Sequence, residues 1–127
     1  MRRVILESPY SADTMEAIAD NILYARKCVR DCLLRGEAPL ASHLLYTQPR
    51  ILVDKVPEER KLGMEAGWAW YSVAEACVVY TDRGISNGML DGIAQAKSME
   101  FRWRSEHCQN NFIGCIMAVD TWAITIV

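Results

Sequence analysis

From Thr14 to about Arg35, apolar residues Met15, Ile18, Ile22, Ala25, Val29, Cys32 and Leu33 recur at alternating intervals of three and four. That spacing draws one face of a helix. Glu16, Asp20, Arg26, Lys27, Arg30 and Asp31 fill the remaining arc, and Gly36 is placed to end it. Ahead of this helix, RVILE at 3–7 is a short apolar, β-branched run that reads as a strand. The loop Ser8-Pro9-Tyr10-Ser11-Ala12-Asp13 follows it and carries helix-start residues. APLASHLLY at 38–46 predicts a second strand, and a second helix begins at Pro57 and runs through LGMEAGWAWYSVAEA. Proline suits a first helical position, and Glu58 and Glu59 suit the positive end of the helix dipole. The apolar run ACVVY predicts a third strand, Ser86 to Lys97 a third helix, and MEFRWR a fourth strand.

This alternation of strand and helix implies a parallel sheet with helical crossovers, an α/β fold. Ligands of such sheets gather beyond the carboxyl ends of the strands, where strand order reverses. Those ends carry Ser8 to Asp13, His43 to Gln48 and Thr81 to Gly88. In the first segment, Ser8, Tyr10, Ser11 and Asp13 precede a helix whose open N–H groups favour an anion, with capping of that helix by Ser11 or Asp13 as the structural alternative. In the third, Gly84 and Gly88 permit close backbone approach, Asp82 can accept from sugar hydroxyls, and Ser86 either caps a helix or donates to a phosphate. Arg50, Arg60 and Arg83 are the cations that could meet a phosphate, Arg83 foremost because it lies in this loop, with surface solvation the default for the other two. His43 is a candidate general base beside its commoner structural role. The stretch is neither GxGxxG nor a P-loop.

Composition narrows the class. At 127 residues with 51% hydrophobic positions, the chain fits one core-forming domain. A formal charge of −2 without a basic block gives no reason to expect nucleic acid as a partner. Five cysteines without framework spacing point to a reducing cytoplasm, and Cys28 and Cys32 read as core residues rather than as a metal pair. No apolar run reaches the length of a membrane span or a signal peptide, and neither metal nor cofactor is expected. Trp68, Trp70 and Tyr71, with Gly63 and Gly67, fit packing on the sheet or on another subunit. The tail from Ser105 to Val127 follows no single period and reads as a final strand, a segment docked on a partner subunit, or an addition foreign to the domain.

RRVILESPYSAD, PLASHLLYTQP, VPEERKLGMEAGWAW and VVYTDRGISNGM with GIAQA together resemble nucleoside 2-deoxyribosyltransferase-like proteins, in their mostly uncharacterised bacterial and phage branch. The resemblance spans about residues 2–104, leaving 105–127 as a C-terminal extension. It implies a flavodoxin-like three-layer fold with a four- to five-stranded parallel sheet, a nucleoside or nucleotide ligand, and a homo-oligomer whose subunits complete each site. The family's enzymes break the bond between base and sugar with a glutamate two residues after the glycine of a GMExG pattern. The corresponding stretch here is Gly88-Met89-Leu90-Asp91-Gly92, so Leu90 stands at the expected nucleophile. Asp91 is the adjacent carboxylate, turned by about 100° on a helix; Glu7 and Glu65 are further acids, and Asp82 resembles the family's sugar-contacting acid. Three readings follow: an N-glycosidic transferase or hydrolase using Asp91 or another carboxylate, with Tyr10 and Asp82 orienting the substrate; an inactive nucleotide sensor or sequestering protein; and an oligomeric interaction module.

Overall fold

A computed structural model of the chain describes residues 1–99 and 103–108. Strands β1 (Arg2–Glu7), β2 (Glu37–Leu40), β3 (Ala76–Tyr80) and β4 (Trp103–Glu106) form one sheet in the order β2-β1-β3-β4. All three pairings are parallel, with Val4 opposite Pro39 on one side and Ala76 on the other. Helices α1 (Met15–Leu34), α2 (Ser42–Leu45), α3 (Pro57–Ala69) and α4 (Asn87–Ser98) lie between the strands in sequence, and a 3-10 turn, Trp70–Val73, follows α3. The arrangement is α/β and flavodoxin-like, in three layers.

Strand alternation builds the layers. Val4, Leu6, Ala76, Val78 and Tyr80 face α1, where Tyr24, Cys28 and Cys32 complete one core. Ile5, Cys77 and Val79 face the other way, against Tyr71 and the α4 residues Met89, Ile93 and Ala96. All five residues of β3 are buried, which is why ACVVY is apolar without alternation. Each large aliphatic side chain so buried contributes about 1.5–3 kcal/mol. Among the described residues, no helix is long and apolar enough to cross a membrane.

Four expectations need correction. The second helix ends at Ala69 rather than running through AEA, because Trp70–Val73 tighten into a 3-10 turn and Ala76 already opens β3. The second strand stops at Leu40 rather than reaching Tyr46: the chain turns at Ala41 into the four-residue α2, which moves His43 from a strand to a helix. Close packing favours the turn, because Gly67 of α3 lies against Ser42, and a β-carbon there would stand 2.7 Å from Ser42 Oγ. The helix after the first loop is capped by neither Ser11 nor Asp13 but by Thr14, whose Oγ1 accepts from Ala17 N at 3.1 Å. Among the described residues the fourth strand spans Trp103–Glu106, running past residue 104, while Met99 caps α4. The expectation for the tail lies, beyond Cys108, outside the described residues.

A buried ion cluster fastens the edge strand β4 to α1 and β2. Arg35, just past the end of α1, places Nη1 2.9 Å from Glu106 Oε2 and 3.2 Å from Asp31 Oδ2, and its Nη2 2.9 Å from Tyr80 Oη. Arg104 reaches Glu37 at 2.5 Å and Glu106 at 2.6 Å. The Glu106 side chain is 1% exposed and that of Glu37 8%, so these carboxylates depend on the two guanidiniums for the solvation they have lost.

Candidate functional site

Strand order reverses between β1 and β3, and the segments leaving these strands open a cavity of about 310 Å³. That volume lies at the lower end of small-molecule sites. Ser8, Tyr10 and Ser11 come from the loop after β1, His43 from α2, and Ser86, Asn87 and Gly88 from the start of α4. Tyr46, Trp68 and Tyr71 add aromatic wall. Ser86 also caps α4, its Oγ accepting from Met89 N at 3.3 Å.

The cavity's central acid is Glu7, the last residue of β1. It shares the sheet face of Ile5, so its carboxyl points toward α4 and the 3-10 turn. Tyr71 Oη donates to Glu7 Oε1 at 2.9 Å and also lies 3.2 Å from the Gly92 carbonyl. Gly92 makes room for the acid: a β-carbon there would overlap the Glu7 carboxyl and stand 3.2 Å from Tyr71 Oη. Burial raises the Glu7 pKa from 4.5 to about 7, against the smaller opposing effect of the Tyr71 hydrogen bond. None of the ion pairs among the described residues involves Glu7.

Beside it, Ser8 Oγ and His43 Nε2 are hydrogen-bonded at 2.7 Å. Burial lowers the His43 pKa from 6.5 to about 4, so the imidazole is neutral near pH 7. On the far wall, Ser11 Oγ donates to Asp54 Oδ2 at 2.5 Å, and Arg60 Nη1 donates to the same oxygen at 2.7 Å and to Ser11 Oγ at 2.8 Å. Glu59 Oε2 accepts from Val53 N at 2.5 Å, bracing the loop before α3.

Glu7 and His43 make opposite contributions to stability. Between pH 4.5 and about 7 the unfolded chain loses the Glu7 proton that the native state keeps, so this group makes stability fall as pH rises. Between pH 6.5 and about 4 the unfolded chain takes up a His43 proton that the native state refuses, so that group makes stability fall as pH falls. Each effect amounts to about 3 kcal/mol at most. Replacing Glu7 by Gln is therefore expected to expose a melting temperature that climbs from about pH 4 to 6.5. Replacing His43 by Gln is expected to expose one that declines from pH 4.5 to about 7. Melting curves at half-unit pH steps check this, and matching profiles for the two variants would contradict it.

The cavity thus gathers Ser8, Tyr10, Ser11, His43, Ser86 and Gly88. It does not gather Asp13, Asp82, Arg83 or Asp91. Asp13 is exposed ahead of α1. Asp82 accepts from Tyr24 Oη, takes Cys108 N at 2.6 Å and lies 3.0 Å from His107 Nδ1, on the α1 side of the sheet. Arg83 stacks 4.7 Å over the Tyr24 ring and donates to Asn21 Oδ1 at 3.3 Å. Asp91 and Leu90 are exposed, because α4 turns its first residues and then Gly92 toward the cavity and the two between them toward solvent. The sequence marks Glu7 only as a further acid and Arg60 only as a secondary candidate for a phosphate, and it leaves the roles of Tyr71, Asp54 and Glu59 unmarked. The available signal was Glu7's parity with Ile5 in a strand ending at the site.

Comparison with curated proteins gives no match. The family of domains of unknown function DUF7768 matches residues 2–106, and the chain belongs to that family.

Proposed function

We propose that the switch-point cavity binds a nucleoside or nucleotide and that the protein cleaves or transfers its N-glycosidic bond with Glu7 as the working carboxylate. The observation that carries this reading is a carboxyl at the end of β1, facing an aromatic-walled cavity of nucleoside size and oriented by Tyr71. In the ionised form, a Glu7 oxygen attacks the anomeric carbon while the C–N bond breaks and the base leaves with the bonding pair, taking a proton from solvent or a neighbouring donor. Water or a second base then attacks the glycosyl ester and releases Glu7. Ser8, His43 and Tyr10 supply hydrogen-bonding groups and a ring to hold sugar and base. The reading places the protein in the cytoplasm, in keeping with its free cysteines Cys28, Cys32, Cys77 and Cys108.

One observation favours a second reading, binding without turnover: a Glu7 pKa of about 7 leaves much of the protein with a protonated and non-nucleophilic carboxyl at neutral pH. Incubation with deoxynucleosides, nucleoside monophosphates and NAD-type nucleotides, followed by chromatography for free base, separates the two. Released base supports the enzyme. A ligand-induced rise in melting temperature without release supports the binding protein. Neither effect with any of them refutes both.

A further inference from the structure

The charge of the cavity wall narrows the ligand class, an inference that rests on the nucleoside reading above. Among the described residues, the acids lining the cavity are Asp54, Glu59 and Glu7, the last only partly ionised near pH 7, against the one guanidinium of Arg60. That guanidinium is already committed, held between Asp54 Oδ2 and Ser11 Oγ. Arg83, the cation the sequence offered to a phosphate, stacks on Tyr24 outside the lining. The first turn of α4, at Ser86 to Gly88, brings the positive end of a helix dipole to the wall. That end is worth about half a unit charge, which offsets less than one carboxylate. A phosphate entering here meets a wall of its own sign in a partly desolvated space, where repulsion is several-fold stronger than in bulk water. A flat cationic ring meets the reverse: a surplus of acids, and the aromatic rings of Tyr10, Tyr46 and Trp68 in the lining.

We propose that the cavity selects by charge, taking N-glycosides without a phosphate and holding a positively charged base more tightly than an uncharged one of the same shape. The 5′-phosphorylated forms are disfavoured by Asp54 and Glu59, joined by Glu7 where it is ionised.

Calorimetric titration of the full chain at neutral pH and low salt tests this with two kinds of pair. The first compares adenosine with AMP and nicotinamide riboside with its mononucleotide. The second compares nicotinamide riboside, a pyridinium cation, with its uncharged dihydro form. Each nucleoside is expected to bind at least about tenfold more tightly than its phosphate, with the gap narrowing as salt rises. The cationic riboside is expected to bind more tightly than the dihydro form. Asp54→Asn, which removes one of these acids and releases Arg60 from its ion pair, is expected to narrow the ratio of adenosine to AMP affinity, and an unchanged ratio would count against the charge selection; the salt series stands on its own if that variant fails to fold. Monophosphates binding as tightly as their nucleosides would overturn the charge selection while leaving the nucleoside reading intact, and a dihydro riboside that binds as tightly as the cation would do the same. If no probe binds at all, the nucleoside reading falls and takes this inference with it.

Discussion

Glu7→Gln is expected to lower the rate of base release by at least about 10⁴-fold, as removal of a member of a nucleophilic catalytic unit does, while the protein still folds and binds ligand. The amide keeps the carboxyl's shape and can accept the 2.9 Å hydrogen bond from Tyr71, so the change removes the chemistry and little of the packing. It also removes a buried ionisable group whose charged form burial disfavours. The variant is therefore expected to melt no lower than the parent above pH 7. If the ionised carboxylate is the nucleophile, the parent's rate rises with pH to a plateau through about 7, and this titration is absent from the residual rate of the variant. Steady-state rates across pH, with melting curves at each point, check all three statements. A fully active Glu7→Gln protein would remove Glu7 from the chemistry and leave only the binding reading.

The largest effect on stability is expected at Arg35, far from the cavity's chemistry. Arg35→Met keeps much of the aliphatic volume but strips the cation from beside Asp31, Glu37 and Glu106. Removing one member of a buried ionic cluster leaves charge without compensation and costs about 3–5 kcal/mol, a large part of a typical domain's net stability of about 5–15 kcal/mol. A fall in melting temperature of roughly 10 °C or more follows. Because the loss comes from unmatched negative charge, adding Glu106→Gln to Arg35→Met is expected to recover part of it, whereas an effect of packing alone would grow worse. Urea titration of the parent, the single variant and the double variant distinguishes these outcomes. A loss below about 1 kcal/mol would place the cluster among ion pairs that solvent has already compensated.

How far these features were legible depended on the range over which their causes act. RVILE and ACVVY announced themselves as strands because burial on both faces demands unbroken apolar runs, and α1 because one stripe of its surface packs on the sheet. Both causes lie within a dozen residues. The end of β2 was not legible: APLASHLLY is apolar throughout, and its turn into α2 depends on how closely Gly67, two dozen residues later, approaches Ser42. The rim of the site could be placed from topology alone, which brought together Ser8, Tyr10, Ser11, His43, Ser86 and Gly88. The choice of acid could not. Asp82 carries the right functional group in the right loop, yet Tyr24 and Cys108, distant in sequence on either side of it, both donate to its Oδ2, and His107 meets its Oδ1. Glu7 faces the cavity because a strand's pleat and the missing side chain of Gly92 leave it that space, and neither is visible in a motif read along a single segment.

The place of β1 in the sheet bears on how a ligand gets in. Hydrogen-bonded to a neighbour on both flanks, β1 is a girder that cannot swing without tearing two ladders, and the acid rides at its tip. Any yielding that admits a guest therefore falls to the opposite bank, where Glu59 and Arg60 of α3 grip the preceding loop through Val53 N and Asp54 rather than through a ladder.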